Sequence, residues 1–227
     1  MRDRLFLLSG ILGLGALAMT VVLALIGPRQ TGPLPAGFIT PVMAFEFARD
    51  DEEVYRLFEP DGSADAMDRV NRWDFLYMAL YSSFLGTFAL AAGRRTGRAI
   101  YFVAAALALI VLYADAMENV QLLGLTLQLE MDGGSMAAML ERLHFYTWLK
   151  WGGLALYFLL IAPTFRRLPG LWRGVWLVAS LPALLAVVAF FRRGLPNELL
   201  ALSIGVMFLL LTLYAWRTVA QPVEVAI

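Results

Sequence analysis

The stretch Leu107–Leu123, LALIVLYADAMENVQLL, decides how this chain is read. Its apolar run begins at Ala99, and a helix from there to Leu123 crosses about 30 Å of hydrocarbon at about 1.5 Å per residue. Near its far end the run carries Asp115, Glu118 and Asn119. Carboxyl groups at bilayer depth are costly unless they face the interior of a bundle or a wet cavity. With Leu122 they fall at i, i+3, i+4 and i+7, which is one face of a helix. The chain should therefore be a membrane scaffold that supplies partners for that face.

Composition agrees. Of 227 residues, 60% are hydrophobic, and mean hydropathy is +0.71, whereas soluble domains are about 45–50% apolar. Lys+Arg and Asp+Glu are both 18, so no basic excess exists to neutralise phosphates, and nucleic acid is excluded as a partner. The absence of cysteine removes disulfides, thiolate metal sites and Cys nucleophiles. A single histidine, His144, rules out multi-histidine metal centres and bis-histidine haem within one chain. No metal site is expected, and no cofactor is indicated.

Hydrophobic periodicity gives an all-α integral membrane bundle of about six spans, near 5–26, 73–92, 99–123, 143–162, 174–191 and 199–216, in one membrane domain. The first run is too long for a signal-peptide core, so it is read as a retained helix. Ser9, Gly13, Ala16 and Thr20 line one of its faces, small enough for another helix to approach closely. The fifth span is expected to bend at Pro182.

Residues 27–72 form the only long polar segment. Gly27-Pro-Arg-Gln-Thr-Gly-Pro-Leu-Pro is loop. Beyond Pro41, two short amphipathic helices are expected at the membrane surface, broken near Arg49–Asp51, with Asp50 or Asp51 capping the second. Counted through Asp74, the segment holds ten acids against five arginines, so it is an acidic cap and no basic membrane arm.

Arg2, Arg4, Arg94, Arg95, Arg98, Arg166, Arg167 and Arg173 share one side of six alternating spans. Lys/Arg bias makes that side the cytoplasm, puts both termini there, and places the 27–72 cap and the 124–141 loop, with its Asp132-Gly-Gly-Ser turn, outside. Arg192 and Arg193 fall on the outer side against the rule and are read as an interfacial hairpin.

This topology gathers polar groups at one depth. Asp115 lies about 24 Å along its span, in the outer half. Asp74, Tyr77 and Tyr81 start the second span from outside, and His144, Tyr146 and Lys150 start the fourth. Lys150 is the natural counter-charge for Asp115 and Glu118. His144 is about 120° around the helix from Lys150. Tyr77, Tyr81, Trp73, Trp148 and Trp151 also fit ordinary interfacial aromatics.

Three readings follow. A buried ion-pair network can fix helix registry in a non-catalytic subunit, sensor or assembly factor, whose partners are membrane lipid and other membrane subunits met through residues 27–72 or the first span. Asp115, Glu118 and His144 could instead be the acid/base set of a small intramembrane enzyme acting on a lipid or isoprenoid. Intramembrane acids also mark proton or solute carriers, but the inner half of every span is dry. The sequence lacks a Gly-x-Ser-x-Gly elbow, a His-Glu-x-x-His helix and an aspartate-rich diphosphate motif, so the first reading is preferred and catalysis stays undecided.

Pro41-Val-Met-Ala-Phe-Glu-Phe-Ala, Asn71-Arg-Trp-Asp-Phe-Leu-Tyr, Ala114-Asp-Ala-Met-Glu-Asn-Val-Gln-Leu-Leu and Lys150-Trp together resemble a pattern in uncharacterised bacterial multi-span membrane proteins. The resemblance covers about residues 35–160, and D-x-x-E-N is its most specific piece. It implies the bacterial cytoplasmic membrane and no reaction. It also implies that Glu46, Asp74, Asp115, Glu118, Asn119 and Lys150 form one constellation, which requires the cap to fold back over the cluster.

Overall fold

The computed structural model describes residues 4–131, 134–166 and 168–220. Arg2, Arg167, Asp132, Gly133 and the C-terminal tail, on which part of the topology reading rests, lie outside them. Among the described residues there are helices and turns but no strand. The protein is a multi-pass, all-α membrane protein: among the described residues six helical segments are long and apolar enough to cross a bilayer.

The first is α1 (Arg4–Ile26). Two short helices follow, α2 (Pro41–Glu46) and α3 (Asp51–Leu57). The long helices are α4 (Ser63–Thr96), α5 (Ala99–Glu130) and α6 (Ala137–Ile161). The fifth crossing is made of α7 (Leu171–Val178) and α8 (Leu181–Phe191), and α9 (Leu195–Ala220) is the sixth. The fifth crossing breaks at Ala179–Ser180, one turn before Pro182 would remove a backbone donor from a continuous helix.

α4 and α5 overrun the expected spans 73–92 and 99–123. At 1.5 Å per residue α4 is about 50 Å long, well beyond the hydrocarbon thickness. Its first turns and the last turns of α5 project from the bundle at the same end and hold each other there. Thr126 Oγ1 donates to Asp68 Oδ1 at 2.7 Å. Apolar run length marks only the part of a helix that lipid would cover, and these ends run on past it with Asp65, Arg69, Arg72 and Glu130 exposed.

The long helices close into a ring in the order α1, α4, α5, α6, α8, α9 and back to α1. Phe84, Phe88, Tyr157, Phe158 and Phe208 are buried in its interior, and Tyr157 donates to the Leu85 carbonyl at 2.7 Å. The small face of α1 is the closing seam. Ser9 donates to the Phe84 carbonyl of α4, and Trp216 Nε1 of α9 reaches the Gly10 carbonyl at 3.2 Å. Outward-facing Leu25, Leu109, Leu184, Phe190 and Leu202 are exposed, as a lipid-facing surface requires.

The segment between α1 and α4 is built by local rules. Pro41 stands in the first turn of α2, where its missing N–H costs nothing. Asp50 Oδ1 caps α3 by accepting from Glu53 N at 2.9 Å, and Glu53 Oε2 accepts from Arg49 N at 3.0 Å. Asp51, Glu52 and Glu53 fill the first turn, where acids suit the helix dipole.

One expectation is corrected. α2 is not laid flat on a surface, because Met43, Ala44, Phe45 and Glu46 are buried against α5 and α6. The apolar face of so short a helix is better covered by Phe58 and Trp148, whose rings meet Phe45 and Phe47 edge-on.

Candidate functional site

Lys150 lies in α6, four residues before Leu154 and one turn after Thr147, on a face turned into the ring. Its side chain is buried, and its ammonium meets three carboxyl groups. Glu118 Oε2 of α5 accepts a hydrogen bond from it, Glu46 Oε1 of α2 is 3.1 Å away, and Asp115 Oδ1 of α5 is 3.4 Å away. The face defined by Asp115, Glu118 and Asn119 therefore points inward, as the cost of bare carboxyl groups in lipid demands.

Two of the three acids, Asp115 and Glu46, have a second tie. Asp115 Oδ2 accepts from the Tyr81 hydroxyl of α4. Glu46 Oε2 accepts from Trp151 Nε1 at 2.9 Å, while the Glu46 carbonyl accepts from Thr147 Oγ1 at 3.2 Å. Asn119 Nδ2 bridges to Asp74 Oδ2 at 2.8 Å and to the Asn71 carbonyl at 3.2 Å. Tyr77 stands at the margin, its ring edge-on to Tyr81 and its hydroxyl 3.2 Å from Thr20 Oγ1 of α1. Glu46, Tyr81, Asp115, Glu118 and Lys150 are thus joined through ion pairs and hydrogen bonds from α2, α4, α5 and α6, with Tyr77 beside Tyr81, while Asp74 and Asn119 form a separate pair on the neighbouring turns of α4 and α5.

His144 is not in it. It is exposed on the far side of α6, where its ring contacts Trp148 at a centroid distance of 6.5 Å, and it makes no hydrogen bond with Asp115 or Glu118. Six residues at 100° each rotate it away from Lys150 along a helix that is unbroken between them.

Sequence reasoning gave no site role to Thr147 and Asn71, and none to Trp151 beyond that of an interfacial aromatic. Thr147, Lys150 and Trp151 stand at i, i+3 and i+4, so the periodicity that oriented Asp115 would also have grouped them. Trp151, read as an interfacial aromatic, is a buried hydrogen-bond donor, and Tyr81, read both as a cluster member and as an interfacial aromatic, is also a buried donor.

The site carries more carboxyl than ammonium. Glu46, which belongs to no spanning helix, has its pKa raised, chiefly because burial penalises the charged form. Nearby Lys150 pulls it back down, and Asp115 pushes it further up. Glu118 Oε1 is buried without a hydrogen-bond partner. Among the described residues no group of three or more His, Cys, Asp or Glu is placed to hold a metal ion. The centre of the three carboxyl groups is filled by the Lys150 ammonium itself.

Two surface cavities, of about 480 and 420 Å³, lie elsewhere, the first lined by Pro33, Tyr55, Arg56 and Glu59 and the second by Arg98, Pro163, Arg166 and Arg173. Compared with known proteins, the chain matches no family model, no curated protein and no solved structure.

Proposed function

We propose that this protein is a non-catalytic subunit, sensor or assembly factor of the bacterial cytoplasmic membrane, with both termini inside and the acidic cap outside. The single observation that carries this reading is the sharing of one buried ammonium among Glu46, Asp115 and Glu118. A charge on α6 held on three sides by carboxyl groups from α2 and α5 fixes the registry of these helices and ties the cap to the bundle. A general acid or base needs access to a substrate, and Asp115 and Glu118 are only 3% and 0% exposed. The separation of His144 removes the third member of the acid/base set on which the enzyme reading depended. The exposed acids of the cap, Glu52, Glu59 and Asp61, and the exposed Ile39 and Tyr55 suit docking of an extracytoplasmic partner.

The test compares Lys150→Met, Lys150→Glu and His144→Ala, read by membrane accumulation, by melting in mild detergent and by the proteins that co-purify. Removing the cation from buried carboxyl groups should cost about 3–5 kcal/mol. Lys150→Glu should not accumulate, Lys150→Met should accumulate poorly and melt early, and His144→Ala should match the wild type throughout. Wild-type accumulation of Lys150→Glu would refute the lock. A changed membrane lipid composition in cells carrying His144→Ala would return the enzyme reading.

A further inference from the structure

The end of the bundle away from the cap holds a site of opposite character. Arg98, Arg166 and Arg173, with Pro163, line a cavity of about 420 Å³. They come from three places in the chain: the α4–α5 turn, the segment after α6, and the first turn of α7. None of the three guanidinium groups pairs with a carboxylate or donates a hydrogen bond within the described residues. The sequence explains why: no Asp or Glu occurs between positions 75 and 114 or between 142 and 197. Three like charges facing one cavity repel each other unless an anion sits between them. Guanidinium groups match the oxygens of a phosphate in geometry as well as charge.

We propose that this cavity binds the phosphate of an anionic phospholipid headgroup. The apolar surroundings favour a lipid over a free phosphorylated solute. Leu171, two residues from Arg173, is 93% exposed. Leu177, Leu181 and Leu184 continue an exposed apolar strip along α7 and α8, where acyl chains lie once the phosphate is seated. A soluble phosphate would use the arginines and leave that strip without a purpose. The site is independent of the Lys150 cluster, and its test does not depend on that reading.

The full chain is placed in phosphatidylcholine nanodiscs, phosphatidylglycerol is titrated in, and retained lipid is counted by native mass spectrometry. Inorganic phosphate is added to parallel samples that hold phosphatidylcholine alone. Phosphatidylglycerol should be retained by the wild type. The Arg98→Gln/Arg166→Gln/Arg173→Gln variant should bind it on the order of a hundredfold more weakly, each arginine near a membrane surface contributing roughly a factor of five. All three side chains are exposed and unpaired, so melting in phosphatidylcholine should not change. Arg166→Gln alone gives the same test at smaller amplitude if the triple variant is poorly produced. Arg29→Gln/Arg142→Gln/Arg192→Gln should bind as the wild type does. Equal retention by the Arg98/Arg166/Arg173 variant, or equal loss in the two triple variants, would overturn the proposal. Binding of inorganic phosphate as tight as that of the lipid would overturn the choice of a lipid.

Discussion

Glu46 is the residue on which the cap and the bundle meet. Its backbone belongs to a six-residue helix outside the spans, and its carboxyl group reaches Lys150 and Trp151. Burial raises its pKa, so the folded protein holds the Glu46 proton more tightly than the unfolded chain does. That contribution to stability is greatest below the ordinary glutamate range and declines as pH rises through the shifted value. Glu46→Gln keeps an acceptor for Trp151 and removes the titration. The wild-type melting midpoint in detergent should therefore fall with rising pH more steeply than that of Glu46→Gln. Parallel profiles would show that the proton on Glu46 does not matter to the fold.

At the scale of elements, the cap is held by more than its own helices. Arg193, in the turn between α8 and α9, grips Glu53 with both terminal nitrogens, at 2.7 and 2.6 Å, and its guanidinium lies 5.1 Å from the Phe38 ring. Glu198 Oε1, in the first turn of α9, accepts from the backbone N–H groups of Ile39 and Thr40, both at 2.9 Å, where α2 begins. Gly37 and Gly194 make the close approach possible. Both have positive φ, 87° and 104°, and a Cβ on Gly194 would meet the Ala36 carbonyl at 2.8 Å. This accounts for the arginine that the Lys/Arg bias could not place, since its charge is matched by the acidic cap. Arg193→Gln should loosen the cap without disturbing the spans. Trypsin should then cut at Arg29, Arg49 or Arg56 several-fold faster while the melting of the bundle moves by no more than about 1 kcal/mol. Unchanged cleavage would mean that the Glu198 contacts suffice.

Across the whole molecule, the ring depends on α1 fitting between α4 and α9. Gly13 sits at the tightest point: a Cβ there would come within 3.0 Å of the Phe84 ring and 3.2 Å of Thr212 Cβ. Neither neighbour has room to retreat, because both are buried. Gly13→Val should cost about 1–3 kcal/mol through overpacking, seen as a lower melting temperature in detergent. Gly15→Val, whose Cβ would meet Leu80 no closer than 3.5 Å, should cost much less. Equal costs would indicate that helix propensity, and not ring closure, sets the effect.

The sequence by itself determined the class, the six crossings and the inward turn of the Asp115 face. Each follows from local quantities: the length of an apolar run, the 3.6-residue period, and the cost of a carboxyl group in hydrocarbon. It also placed Lys150 at the depth of its acids, because helical rise converts residue number into distance. What it could not supply was anything that depends on how helices rotate and which of them touch. Only the tertiary structure decided that Trp151 and Tyr81 are donors to the cluster, that His144 is not a member, and that α2 is buried. The same holds for Arg193, whose partner Glu53 lies 140 positions away in the chain. Periodicity along one helix fixes which residues share a face. The neighbour that face meets is fixed by packing among all six, and a one-dimensional pattern carries no record of it.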